Sequence, residues 1–422
     1  VVASTIAVPA FSTPPPFCVS SLPLPSNVLV RSDSVPVLRM PPQSFSLIVE
    51  PLTVMEPDTL ANPTAIVVSA ITLCITVNKP TLYTAPASGS PVMMFALDWR
   101  LALGTLLVLP LMLPVAGLLL ALALGGRWAR GLALTLLWLG LAVALATAAT
   151  LLQGAEPLSY TLGGWAPPLG VTLKADGLSA VLLLLSPLVL LAVGHSARRG
   201  FQVPDGGDET RRSLAFWVLL LGVWAGLNTL SLAQDLFTLF VALELLTFSA
   251  VPLVALDGRP ETLQAALRYL LFALLGSVLY LLGAVLLYGA YGTLDITLLA
   301  TRVQPEPAAW VAAALMTAGL LAKTALFPLH LWLPPAHAGA PPAASAVLSA
   351  LVVKGSFVLL VRLWFEVMPG LWSVSATQLI AALGAAAILY GSVLALRQER
   401  LKLLIAYSTV AQIGYLFLMF PL

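Results

Sequence analysis

Leu236-Phe-Thr-Leu-Phe-Val-Ala-Leu-Glu-Leu-Leu-Thr-Phe-Ser-Ala-Val-Pro-Leu-Val-Ala-Leu256 is an almost unbroken apolar run with a single charge, Glu244, near its middle. As a helix it is long enough to cross a bilayer, which takes about 20 residues. Similar runs recur to the end of the chain, separated by short polar or Gly/Pro punctuation. The pattern places ten helices, over 101–124, 131–152, 177–195, 213–232, 236–256, 263–290, 308–327, 341–363, 376–396 and 402–420. Composition agrees. Of 422 residues, 59% are hydrophobic and 9% charged, against about 25% charged in an ordinary soluble domain. So little polar surface excludes a soluble enzyme, a disordered chain and a nucleic-acid binder. The net charge of +2 is too small to call for a polyanionic partner. The expected fold class is all-α: a polytopic transmembrane helix bundle with the lipid bilayer as its solvent. Residues 162–176 read as a short hairpin or extended loop at the membrane face.

Residues 1–92 have a different character. They hold 15 of the 33 prolines, both cysteines (Cys18 and Cys74) and one glycine, Gly89. Pro14-Pro15-Pro16 and Pro41-Pro42 would break any helix. The longest apolar run, 64–77, is too short to span, and no basic segment precedes an apolar one as in a signal peptide. This part is expected to be an irregular or disordered extension, or upstream sequence read ahead of Met93-Met94. Residues 93–422 then form the transmembrane domain. The cysteines show no metal or redox spacing, and no phosphate loop or nucleophile elbow is present, so neither cofactor nor metal is expected.

Loop charges give the orientation. Alternating the loops puts Arg127, Arg130, Arg198, Arg199, Arg211, Arg212, Arg259, Arg397, Arg400 and Lys402 on one side, against Arg100, Lys174 and Arg302 on the other. The positive-inside rule makes the first side cytoplasmic, so the first helix starts outside. Arg362 and Glu366, four apart near a helix end, suit a surface pair. Asp235 reads as a solvated loop residue.

Ionisable residues inside the spans are few. Each costs several kcal/mol there unless paired or wetted, so each is a functional candidate. They are Glu244, Lys323 in Leu320-Leu-Ala-Lys-Thr-Ala-Leu-Phe-Pro328, and Lys354 in Leu351-Val-Val-Lys-Gly-Ser-Phe357. One acid and two bases on three helices are most simply satisfied by a buried polar file. At about 4 Å and an effective dielectric near 20, an acid–base pair is worth about 4 kcal/mol. Moving Glu244 toward or away from Lys323 would thus load or release a proton. The plain alternative is a structural ion pair that locks the bundle. After Lys323 come Pro328, His330-Leu-Trp-Leu-Pro-Pro-Ala-His337 and Pro341-Pro342. The helix is expected to break near Pro328, as transporter helices do where they line a water-filled cavity. His330, and with less weight His337, could relay protons between the lysines. Ser408, Thr409 and Gln412 form a polar stripe compatible with packing or a hydrated path.

Several stretches together resemble the antiporter-like membrane subunits shared by respiratory complex I (NADH–quinone oxidoreductase), Mrp sodium/proton antiporters and membrane-bound hydrogenases. They are Ala175-Asp-Gly-Leu-Ser179, Phe240-Val-Ala-Leu-Glu244, Lys323 to Pro342, Ser349 to Arg362, and Arg400-Leu-Lys-Leu-Leu-Ile-Ala-Tyr-Ser408 with Gln412-Ile-Gly-Tyr415. The resemblance implies that Glu244, Lys323 and Lys354 are the family's charged residues. It implies a non-redox subunit of a plasma-membrane complex, without cofactor, that moves protons or exchanges them for sodium while partner membrane subunits carry the electrons. It also implies fourteen helices with two inverted five-helix repeats. On that pattern the chain holds the first repeat whole and ends two helices into the second, as a truncated member would. An Mrp-type or hydrogenase subunit, an unrelated secondary transporter and a non-conducting scaffold are the competing readings.

Overall fold

A computed structural model of the chain describes residues 99–154, 156–201, 210–371 and 373–420. The expectations for residues 1–92 lie outside the described residues. The fold is an all-α polytopic membrane bundle. Its first helices are α1 (Trp99–Leu124) and α2 (Gly126–Gln153), followed by a hairpin of β1 (Leu158–Thr161) and β2 (Thr172–Ala175). Next come α3 (Gly177–Ala197), α4 (Arg211–Leu232), α5 (Leu236–Val254), α6 (Pro260–Tyr291), the short α7 (Ile296–Arg302) and α8 (Pro307–Thr324). A 3₁₀ turn (Leu329–Trp332) leads to α9 (Leu333–Gly339), α10 (Pro342–Val347) and α11 (Val353–Arg362). The chain continues through α12 (Val374–Leu396) and α13 (Leu401–Phe417).

Among the described residues nine segments are long and apolar enough to cross a membrane, with Pro307–Gly339 and Pro342–Val367 each counted as one. The tenth expected span, 402–420, is shorter: α13 has 17 residues and then turns. The hairpin expected over 162–176 starts earlier: β1 precedes that stretch and pairs antiparallel with β2 at its end, Leu158 opposite Ala175. Helix starts follow capping chemistry. Asp176, Asp235 and Asp295 accept backbone N–H groups at α3, α5 and α7, and proline opens α6 and α8.

Two details show how polar backbone is satisfied inside an apolar bundle. Pro114 has no N–H and so leaves the carbonyl of Pro110, four residues back in α1, without its helical donor. The Asn228 amide of α4 donates to that carbonyl at 2.7 Å. Where α6 crosses α8, two glycines face each other. A Cβ on Gly276 would stand 2.6 Å from the Gly319 carbonyl oxygen and 3.0 Å from the Lys323 Cγ. Small residues permit this close approach of backbones, and the approach sets Lys323 against α6.

The break comes earlier than the prolines suggest. α8 ends at Thr324, and Ala325 takes a left-handed conformation, φ 56 and ψ 38. The Trp332 indole donates at 2.9 Å to the carbonyl of Ala322 in the last turn of α8. Trp332 is itself stacked on Tyr269 of α6 at 4.2 Å. A second irregularity flanks Lys354: α11 lies between π-helical turns at Leu348–Val352 and Leu363–Val367. π turns use the same apolar residues as an α-helix, so composition does not announce them.

Candidate functional site

Lys323 occupies the last turn of α8, where the negative end of the helix dipole favours a cation. Its Nζ lies 3.1 Å from Glu244 Oε1 and donates at 2.9 Å to Thr247 Oγ1. Thr247 follows Glu244 by three residues and therefore shares its face of α5; its own hydroxyl donates to the Leu243 carbonyl at 2.8 Å. From α6, Ser277 donates to the same Glu244 oxygen. Three helices thus converge on one ion pair. The Lys323 side chain is 4% exposed and that of Glu244 16%. Beside Lys323 is a cavity of about 10 Å³, lined by Thr247, Tyr269 and Lys323, by Val352 of the π turn before α11 and by Ser356 of α11, the helix that carries Lys354. That is room for about one water.

The other expected residues are placed differently. Lys354 is half-buried and its Nζ donates closely to the Ser349 carbonyl. Among the described residues it has no carboxylate partner. Ser349 in turn shares a 2.9 Å hydrogen bond with Thr409 of α13, one of the stripe residues. His330 is buried between the rings of Phe327 at 5.5 Å and Tyr390 at 4.8 Å, and among the described residues its Nδ1 has no hydrogen-bond partner. His337 is fully buried, with Nδ1 at 2.6 Å from Ser345 Oγ and Nε2 without a hydrogen-bond partner among the described residues. Among the described residues no hydrogen bond ties Lys354 or His330 directly to the Glu244–Lys323 pair.

A second polar cluster stands at the opposite end of α11. Arg362 is fully buried, not a surface residue as its spacing to Glu366 suggests. Its guanidinium bridges Asp176 at 3.1 and 3.2 Å, Ser179 Oγ at 2.8 Å, the Ser231 carbonyl at 3.2 Å and Glu366 at 3.3 Å. Burial pushes the Asp176 carboxyl up, but Arg362, the two Ser179 donors and Lys174 outweigh it, leaving the carboxyl below its usual range. Asp235 is a half-buried helix cap facing Asp295 across an isolated antiparallel bridge. For Asp295 burial dominates and, with the charge of Asp235, holds the carboxyl above its usual range despite the capped N–H groups and Lys174.

Residues 233–422, which carry Glu244, Lys323 and Lys354, match the family model described as NADH:quinone oxidoreductase/Mrp antiporter, TM. Over that region the chain is similar to the antiporter-like membrane subunits. It is 38% identical over 279 residues to NADH-quinone oxidoreductase subunit N of Desulforudis audaxviator, a match covering 65% of this chain and 54% of that protein. It is 32% identical over 334 residues to a probable K(+)/H(+) antiporter subunit of Rhizobium meliloti, covering 76% and 60%. Among solved structures it is similar to a chain of the membrane-bound sulfane sulfur reductase, an archaeal respiratory membrane complex. There the TM-score is 0.68 and the identity 27%, over 76% of this chain and 64% of that one. The chain therefore spans between about half and two thirds of the length of these antiporter-like relatives.

Proposed function

We propose that the chain is a proton-translocating membrane subunit of an NADH–quinone oxidoreductase-like assembly, with residues 93–422 as its conducting domain. One observation carries the reading: a buried lysine and a half-buried glutamate are paired where a transmembrane helix breaks, beside a water-sized cavity reaching the helix of a second lysine. In the proposed cycle Glu244 holds Lys323 charged. When the pair separates, the Lys323 proton passes through the cavity water toward Lys354, with His330 and His337 as further stations. α4 to α11 would form the first of two inverted repeats. The chain would lie in the plasma membrane with its arginine-rich end in the cytoplasm and the start of α1 outside. Other membrane subunits would flank it, and electron transfer would occur in partners rather than in this chain.

The K(+)/H(+) antiporter relative favours a second reading, in which the same pair serves cation/proton exchange. Both are tested by dye-reported proton uptake into vesicles containing the assembled complex with Glu244→Ala, Lys323→Ala or Lys354→Ala. Loss of uptake by about tenfold or more, with assembly intact, is the expected result. Uptake at the parental rate in all three variants would overturn the proposal. Uptake that requires sodium or potassium on the opposite side would select the exchanger.

A further inference from the structure

Where α3 ends and α4, α6 and α13 begin, the first turns of α6 meet the α9 segment and Arg400 in a groove of about 410 Å³. Small-molecule sites run from roughly 300 to 1,000 Å³. Arg259, Arg268 and Arg400 line the groove against one acid, Glu261, and all four are exposed. Arg259 has Asp257 at 3.3 Å; among the described residues Arg268 and Arg400 have no ion-pair partner. The groove thus holds two guanidinium groups outside any ion pair against the single carboxylate of Glu261, and their forked donors match phosphate oxygens.

The wall beside them indicates where the anion comes from. Glu261, Gln264 and Arg268 fall on one face of α6. Beyond Arg268 the adjoining face carries Leu271, Leu275, Val278 and Leu282, each about half exposed or more. At 1.5 Å per residue this apolar row runs about 17 Å along the helix, close to the roughly 15 Å of one hydrocarbon leaflet. A soluble anion would use only the arginines, whereas a lipid anion would use both features. α6 has 32 residues, about 48 Å, so it extends beyond a core of about 30 Å and can hold Arg268 near headgroup depth.

We propose that this groove binds an anionic phospholipid, its phosphate between Arg268 and Arg400 and its acyl chains along the apolar row from Leu271 to Leu282. The proposal is independent of the proton pathway.

The test uses the full chain in neutral detergent, titrated with phosphatidylglycerol, phosphatidylcholine or inorganic phosphate and followed by thermal unfolding, since a ligand of the folded state raises the melting temperature. Phosphatidylglycerol should raise it saturably, and the other two should not. Arg268→Gln with Arg400→Gln should weaken the phosphatidylglycerol affinity about 25-fold, from about fivefold per arginine. Arg198→Gln with Arg199→Gln, which removes equal charge from the same end of the bundle, should leave it within about twofold of the parent. Should the double variant not fold, Arg268→Lys keeps the charge, loses the fork and should weaken binding several-fold. An equal response to phosphatidylcholine, an equal response to inorganic phosphate, or the same loss in the Arg198/Arg199 variant would each overturn the proposal. So would undiminished affinity in the Arg268/Arg400 variant or in Arg268→Lys.

Discussion

Glu244→Gln isolates the worth of the central ion pair, because glutamine keeps the shape and most of the hydrogen bonding while removing the charge. At the 3.1 Å separation of Lys323 Nζ and Glu244 Oε1, an effective dielectric near 20 gives a gross attraction of about 5 kcal/mol. Two features reduce the net loss. Glu244 keeps 16% of its side-chain surface exposed, and the lysine retains the Thr247 hydroxyl. Removing one partner of a buried pair costs about 3–5 kcal/mol, so the lower half of that range, about 3–4 kcal/mol, is expected. At roughly 2 °C per kcal/mol for a chain this large, the melting temperature should fall by about 6–8 °C. Lys323→Met should cost a similar amount. The double variant, with no stranded charge, should lie close to the better single variant, giving a coupling energy of about 3–4 kcal/mol in a double-mutant cycle. Thermal unfolding of the four proteins in one detergent measures this. A coupling below about 0.5 kcal/mol, the scatter for independent sites, would mean that the two groups do not share a buried contact, and the site would have to be abandoned.

Arg362→Lys should destabilise by about 3 kcal/mol or more in the same assay, because one ammonium cannot meet both the Asp176, Ser179 and Ser231 oxygens gathered at Nη2 and the Glu366 carboxylate at Nη1. Gly276→Ala should cost about 1–3 kcal/mol by pressing on the Gly319 backbone. Gly131→Ala, with nothing within 4 Å of the new methyl group, should be neutral or mildly stabilising. The two outer carboxylates should act oppositely with pH. Asp176 is held below its usual range, so its contribution is complete above about pH 4, the unfolded value, and fades as the pH falls through its folded value. Asp295 is held above that range, so its contribution is present below about pH 4 and lost as the pH rises through its folded value. Asp295→Asn, which still caps α7, should therefore raise the melting temperature at pH 7 but not at pH 3. Melting curves across pH check both signs.

The spans were legible because a bilayer demands long apolar runs, and the chain supplies them with little interruption. The Glu244–Lys323 contact was legible for the same reason: charges so isolated in hydrocarbon must find each other. Thr247 was within reach of helical spacing, three residues after Glu244, but Ser277 carries no signal among the many serines of apolar helices. Arg362 misled because its nearest charge in sequence is Glu366, whereas Asp176, its bidentate partner, lies 186 residues away. Asp235 likewise read as loop because no local pattern reveals the bridge to Asp295. The break shifted from Pro328 to Ala325 because backbone handedness at an alanine is imposed by packing around it, not by its own preference.

That alanine also decides what kind of joint the interrupted span has. A glycine could swing between both signs of φ, but Ala325 sits in a narrow well that costs about 1–2 kcal/mol. Such a residue stays there only where its surroundings overdetermine it, here through the Leu326 amide on the Leu321 carbonyl and the Trp332 anchor. The joint is a fixed elbow, not a pivot: a push on α9 would arrive at Lys323 as displacement of the whole arm, with little taken up in bending.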